Sequence, residues 1–166
     1  MSRSIDGRLA TLAAAAAAAL LAALALQFLG GLPPCPLCVY QRYPYLVVIA
    51  VCLLGWWLGR PRLALAIAAA ALAVDAGIAA YHVAIEQGWV ALPETCAAVG
   101  HAMTIEELRQ QLQAAPAHCD QVSFQFLGLS LAAWNLGYAA LLFLLAVAML
   151  MRGGSATEQD GYPRVA

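Results

Sequence analysis

Four long apolar runs alternate along the chain with short segments that carry most of its Pro and nearly all of its charge. The runs are Leu9–Leu29, about Val39–Leu58, Leu63–Ile85 and Phe126–Met151. A helix needs about 20 apolar residues to cross a hydrocarbon layer roughly 30 Å thick, so each run predicts a membrane-spanning helix. The second run carries Gln41, Arg42 and Pro44 in its first turns, and Tyr45–Leu58 alone is too short to cross. That helix must therefore begin near Pro36 or Leu37. In the last connecting segment, Thr104-Ile105-Glu106-Glu107 has the form of a capping box, with Met103 and Leu108 as its hydrophobic staple. Ile105, Leu108 and Leu112 then share a face before Pro116, which predicts a short amphipathic helix on the membrane surface. The fold expected is an all-α four-helix transmembrane bundle over residues 1–152, with a flexible polar tail over 153–166.

Composition sharpens this picture. Of 166 residues 64% are hydrophobic and 10% charged, with a mean hydropathy of +0.79, well beyond the 45–50% apolar content of soluble domains. Eight Arg, no Lys and a net charge of -1 leave no basic surface for a phosphate backbone, so nucleic acid is excluded as the main partner. Arg3, Arg8, Arg60, Arg62, Arg152 and Arg164 fall on one side of the spans, and only Arg42 and Arg109 on the other. The positive-inside rule then predicts that both termini are cytoplasmic. The first run is longer than a signal-peptide core, and Gly30–Pro34 offers no small-x-small cleavage site. A small transporter is disfavoured because no Gly/Pro-broken helices recur in matching halves.

On this topology Cys35 and Cys38 lie in the first outside segment, Cys96 and Cys119 in the second, and Cys52 within a span, where a packing role suffices. Cys35-Pro36-Leu37-Cys38 stands where a loop becomes a helix. Pro36 at the first helical position makes Cys35 the N-cap and puts Cys38 in the first turn, where free N–H groups favour a thiolate. Arg42 follows Cys38 by four residues on the same face and can stabilise that thiolate or a docked anion. Cys96 and Cys119 lie 23 positions apart, and a disulfide closing such a loop stabilises by about 3 kcal/mol. A structural membrane protein with stapled outer loops is therefore an alternative reading. A metal site drawing on Cys35, Cys38 and one of His82, His101 or His118 is disfavoured, because no second C-x-x-C or H-x₃₋₅-H completes a tetrahedral set. A conduit carrying electrons outward needs a cysteine pair within the membrane, and only Cys52 is there. Asp75 lies mid-span, where a charge costs at least about 2.5–3.5 kcal/mol, and the sequence names no partner for it.

The stretch Cys35-Pro36-Leu37-Cys38-Val39-Tyr40-Gln41-Arg42, the outside pair with Pro93 upstream of Cys96, and Cys119-Asp120 leading into Phe126-Leu127-Gly128-Leu129-Ser130 together resemble the disulfide bond formation protein B (DsbB) family. The resemblance spans about Leu9 to Met151. It implies a bacterial inner-membrane oxidoreductase with its redox loops in the periplasm, which reoxidises a DsbA-like thioredoxin-fold protein and passes the electrons to a membrane quinone, ubiquinone or menaquinone. By that resemblance Cys96 forms the mixed disulfide with the partner and Cys119 is its pair-mate. Cys35 and Cys38 receive the electrons, with Cys38 nearest the quinone, while Arg42, Gln41 and His82 form the quinone site.

Overall fold

The computed structural model describes residues 2–93, 96, 104–106, 118–120, 122 and 124–158. Its helices are α1 (Ser2–Phe28), α2 (Pro36–Tyr40), α3 (Arg42–Trp57), α4 (Pro61–Glu86) and α5 (Leu131–Glu158). Four stretches are long and apolar enough to cross a membrane: Gly7–Phe28, Pro36–Trp57, Pro61–Glu86 and Leu131–Arg152. The second joins α2 and α3 across Gln41 and starts at Pro36, as the polar interruption requires. Large apolar side chains such as Leu53, Trp57 and Leu144 point outward from the bundle, the arrangement expected of helices solvated by lipid.

The helices pack in the order α1, α3, α4, α5. Small residues make this possible: Ala16, Ala68, Ala139 and Ala146 are fully buried between larger partners such as Leu12, Val48, Leu72 and Leu142. Close backbone approach through small side chains is the usual basis of helix association in lipid. Helices α1 and α5, at the two ends of the row, touch sparsely. They are tied by Arg8 Nη1 donating to the Met149 carbonyl (3.2 Å) and Tyr138 Oη donating to the Ala15 carbonyl (3.0 Å). A cleft therefore stays open between them.

Two features depart from the pattern of apolar runs. The fourth run is helical only from Leu131; Gln125–Phe126 (β1) and Leu129–Ser130 (β2) pair as an antiparallel hairpin. Its two-residue turn has φ of 53° at Leu127 and 79° at Gly128, the signs of a type I′ turn that glycine favours. Trp134 Nε1 donates to the Phe126 carbonyl at 2.9 Å and fixes the hairpin on α5. An apolar stretch of four to six residues does not reveal by composition whether it is strand or helix. At the far end α5 runs past Gly153 to Glu158, and the rest of the predicted tail lies outside the described residues. Of the predicted surface helix, Ile105 and Glu106 are helical; Glu107 to Pro116 lie outside the described residues.

Candidate functional site

Pro36 fixes the first turn of α2 and has no N–H to leave unpaired, so the preceding residue is free to cap. Cys35 adopts extended backbone (φ -72°, ψ 162°), and its Sγ accepts the Cys38 N–H at 3.2 Å. The cap position read from the sequence is thus the one observed. The two sulfurs lie 2.7 Å apart and share a hydrogen bond. Cys35 is buried and Cys38 half-buried.

The charge falls on the other sulfur from the one anticipated. The hydrogen bond from the Cys38 side chain, reinforced by the His82 ring and the Cys38 N–H, outweighs burial and pulls the Cys35 thiol down to about 5. Arg42 does not attend either sulfur; its Nη1 donates to Gln27 Oε1 on α1 at 2.7 Å. A guanidinium four residues from Cys38 can reach it, but a neutral amide on the facing helix satisfies it first. The N-cap sulfur, which accepts the Cys38 N–H and faces His82, is thus the one whose surroundings favour the thiolate.

His82 enters from the last turn of α4, with Nε2 3.7 Å from Cys35 Sγ and 3.8 Å from Glu86 Oε1. Glu86 is the residue that reading the sequence missed. It looks like a charge in the loop, yet it is the last residue of α4 and its side chain is only 6% exposed. Its spacing of four from His82 was the available signal. Gly88 (φ 71°) ends the helix directly after it, with Trp89 N–H donating to the Ala84 carbonyl at 2.9 Å, the bond that closes a glycine-terminated helix. The Ser130 hydroxyl donates to Glu86 Oε2, and Ser130 Oγ accepts the Ala133 N–H (3.1 Å) at the start of α5.

Cys35, Cys38 and His82 also bring three donor atoms within 4.8 Å of one another, a set invisible to spacing because His82 comes from another helix. Two sulfurs sharing a tetrahedral zinc at about 2.3 Å would stand about 3.8 Å apart. At 2.7 Å these two sulfurs stand closer together than that.

The cleft between α1 and α5 holds a cavity of about 450 Å³, within the usual range for small-molecule sites. Cys35, Cys38, Gln41, Arg42 and His82 all line it, against an apolar wall from α1. Among the described residues, two buried nitrogens of this lining, Gln41 Nε2 and Arg42 Nε, have no hydrogen-bond partner. Deeper in the bundle Asp75 acquires the partner the sequence could not name: Asn135 Nδ2 donates to Asp75 Oδ2 (3.3 Å), and Tyr45 donates to Asn135 Oδ1 (2.8 Å). Cys52 is 1% exposed in the apolar core, as a packing residue is.

Cys96 and Cys119 are joined in a disulfide. They share one buried cluster with Cys35, Leu37 and Ile85, against which Cys38 packs. Two cysteine pairs far apart in the sequence therefore meet at one end of the bundle, one bonded and one free.

The family described as disulfide bond formation protein DsbB matches residues 7–149. The chain belongs to the DsbB family. It is similar to disulfide bond formation protein B of Acidovorax sp. (strain JS42), 33% identical over 161 residues, which cover 88% of this chain and 87% of the relative. It is likewise similar to the proteins of that name from Dechloromonas aromatica (strain RCB), 34% identical over 152 residues (81% and 90%), and Aromatoleum aromaticum, 31% identical over 138 residues (78% and 82%). Membership of the DsbB family and the four spans make this a multi-pass membrane protein of disulfide bond formation.

Proposed function

We propose that the chain is a quinone-dependent dithiol oxidase of the bacterial inner membrane, with both cysteine pairs facing the periplasm and both termini in the cytoplasm. The observation that carries this reading is the meeting of the two pairs in one cluster, with the free pair also lining an apolar cavity. A thiolate of a reduced DsbA-like thioredoxin-fold partner attacks Cys96, and Cys119 leaves as a thiolate. The partner's second thiol then closes its own disulfide, leaving two electrons and two protons on Cys96 and Cys119. Attack by that dithiol on a Cys35–Cys38 disulfide restores Cys96–Cys119 and loads the inner pair. The state with Cys96–Cys119 bonded and Cys35 and Cys38 free is the product of this step.

The cavity suits a quinone because its walls are apolar while Gln41 and Arg42 hold buried N–H groups unpaired among the described residues, which carbonyl oxygens satisfy, with His82 on the same lining. A bound quinone supplies the oxidising capacity, accepting two electrons and two protons. Arg42, fixed by Gln27, Gln41 and His82 orient it, and the stabilised Cys35 thiolate and the Cys38 thiol beside the cavity are the electron donors.

One observation favours the stapled-loop alternative: Cys96 and Cys119 are 3% and 1% exposed, and exchange requires access to the attacked sulfur. The Cys96 edge of the cluster must open to the partner. A reduced DsbA-like protein with its second active-site cysteine replaced by Ser, mixed with the wild-type chain and quenched in acid, should accumulate a mixed disulfide through Cys96, with Cys119 released as a thiol. No adduct, with wild-type Cys96–Cys119 unreduced by the same protein, would make the bond a staple.

A further inference from the structure

The reduced inner pair raises a question of proton balance. Reducing a disulfide to two thiols takes up two electrons and two protons, yet Cys35 Sγ accepts the Cys38 N–H and faces His82 Nε2 at 3.7 Å, surroundings that favour a thiolate there. The second proton then belongs on a group beside that sulfur. We propose that the His82–Glu86 pair is that group: it takes up the second proton when the Cys35–Cys38 disulfide is reduced and releases it when the pair is reoxidised.

Geometry divides the two oxygens of Glu86 between different tasks. Oε2 is held by the Ser130 hydroxyl, itself fixed as the cap of α5, while Oε1 faces His82 Nε2. That same nitrogen faces Cys35 Sγ, so a proton on it lies between thiolate and carboxylate and is attracted to both. Among the described residues, the remaining charged or titratable groups around the cavity are Cys38 on α2, Arg42 and Tyr45 on α3, His118 of the second loop and Tyr138 on α5, with neutral Gln27 from α1 and Asn135 from α5. Arg42 is engaged by Gln27, which leaves Glu86 as the anion that serves His82. His82, in contact with a reacting sulfur, is a catalytic residue under this proposal, and Glu86, acting through it, is a positioning residue.

The step balances. On reduction, Cys35–S–S–Cys38 takes two electrons from the outer dithiol; one proton goes to Cys38 Sγ and the other to His82 Nε2 beside the Cys35 thiolate. On oxidation by a quinone the electron pair leaves as the S–S bond forms, and the two protons depart from Cys38 and His82. The inference rests on the reading of Cys35–Cys38 as a cycling pair, but its test needs neither quinone nor protein partner.

The test is an anaerobic titration of the full-length chain against a small reference dithiol, with the redox state of the Cys35–Cys38 peptide read by mass after acid quench and alkylation. After correction for the reference dithiol, a two-proton reduction changes its equilibrium constant about 100-fold per pH unit, and a one-proton reduction about tenfold. Wild type should show the 100-fold dependence between about pH 6.5 and 8. Glu86→Gln, which still accepts the Ser130 hydrogen bond, should fall to tenfold. His82→Gln should do the same, and the double variant should not fall further. A tenfold dependence in wild type, or a 100-fold dependence surviving in either single variant that remains folded, overturns the proposal. Failure to reduce quinone with these slopes intact would instead count against the oxidase reading alone.

Discussion

Replacing Cys38 by Ala removes the group that does most to keep the Cys35 sulfur charged. With a value of about 5 for Cys35, its thiolate fraction is about 0.9 at pH 6 and about 1.0 at pH 9, so its alkylation rate should rise only about 1.1-fold across that range. A thiol at the ordinary 9.0 rises from about 0.001 to about 0.5 thiolate, a gain of about 500-fold. Because each figure is a ratio within one protein, the slow access imposed by burial cancels. In Cys38→Ala the helix N–H and His82 remain to favour the anion, but burial now opposes them without the sulfur hydrogen bond. The midpoint must therefore move up, and a midpoint above about 7.5 gives a rise of more than about 30-fold between pH 6 and 9. The sign is fixed: the reactive form of a lowered thiol is present above its own value and lost as pH falls through about 5. The assay is iodoacetamide labelling of the reduced protein, followed by the mass of the Cys35 peptide. A wild-type rate climbing a hundredfold from pH 6 to 9, or a Cys38→Ala profile as flat as wild type, would refute the assignment of the thiolate to Cys35.

Three further outcomes follow from the geometry. Arg42→Gln removes a charged donor from the cavity and should raise the apparent KM for quinone by about 10-fold or more, the effect of losing a charge-assisted hydrogen bond worth about 1.5–3 kcal/mol; steady-state rates against quinone concentration measure it, and an unchanged KM would place Arg42 outside the site. Cys52→Ala should leave turnover unchanged and cost about 1 kcal/mol of stability, since Cys52 only fills the core; loss of turnover at normal expression would give it a role. Gly55→Ala puts a methyl against Ala64 Cβ, where α3 faces α4. It should destabilise the bundle by about 1–3 kcal/mol in detergent unfolding, and unaltered unfolding would mean that this contact yields freely.

What the sequence disclosed was governed by local rules. Span length is set by bilayer thickness, so four apolar runs were enough to expect four helices; Pro after Cys is sufficient to place the cap on Cys35. What it hid depends on which helices become neighbours. His82 reaches Cys35 across 47 positions, Ser130 reaches Glu86 across 44, and Asn135 reaches Asp75 across 60. No periodicity encodes those pairings. Glu86 went unnoticed for a related reason: a carboxylate at the end of an apolar run carries no sign of its role until its hydroxyl partner and its histidine are known. The contact of Arg42 with Gln27 was hidden for the same reason, since Gln27 lies on another helix. The hairpin at Leu127–Gly128 was lost in an apolar run that suits strand and helix equally.

The central claim is that electrons from a protein dithiol cross both cysteine pairs to a quinone. Its most direct measurement is anaerobic: purified protein, a reduced thioredoxin-fold protein and a ubiquinone analogue, with quinone absorbance followed while thiols are trapped in acid. One quinone reduced for each dithiol oxidised, with reduction abolished in both Cys38→Ser and Cys96→Ser, is the predicted result. An unchanged quinone spectrum, with Cys96–Cys119 surviving intact beside the reduced partner, would contradict it.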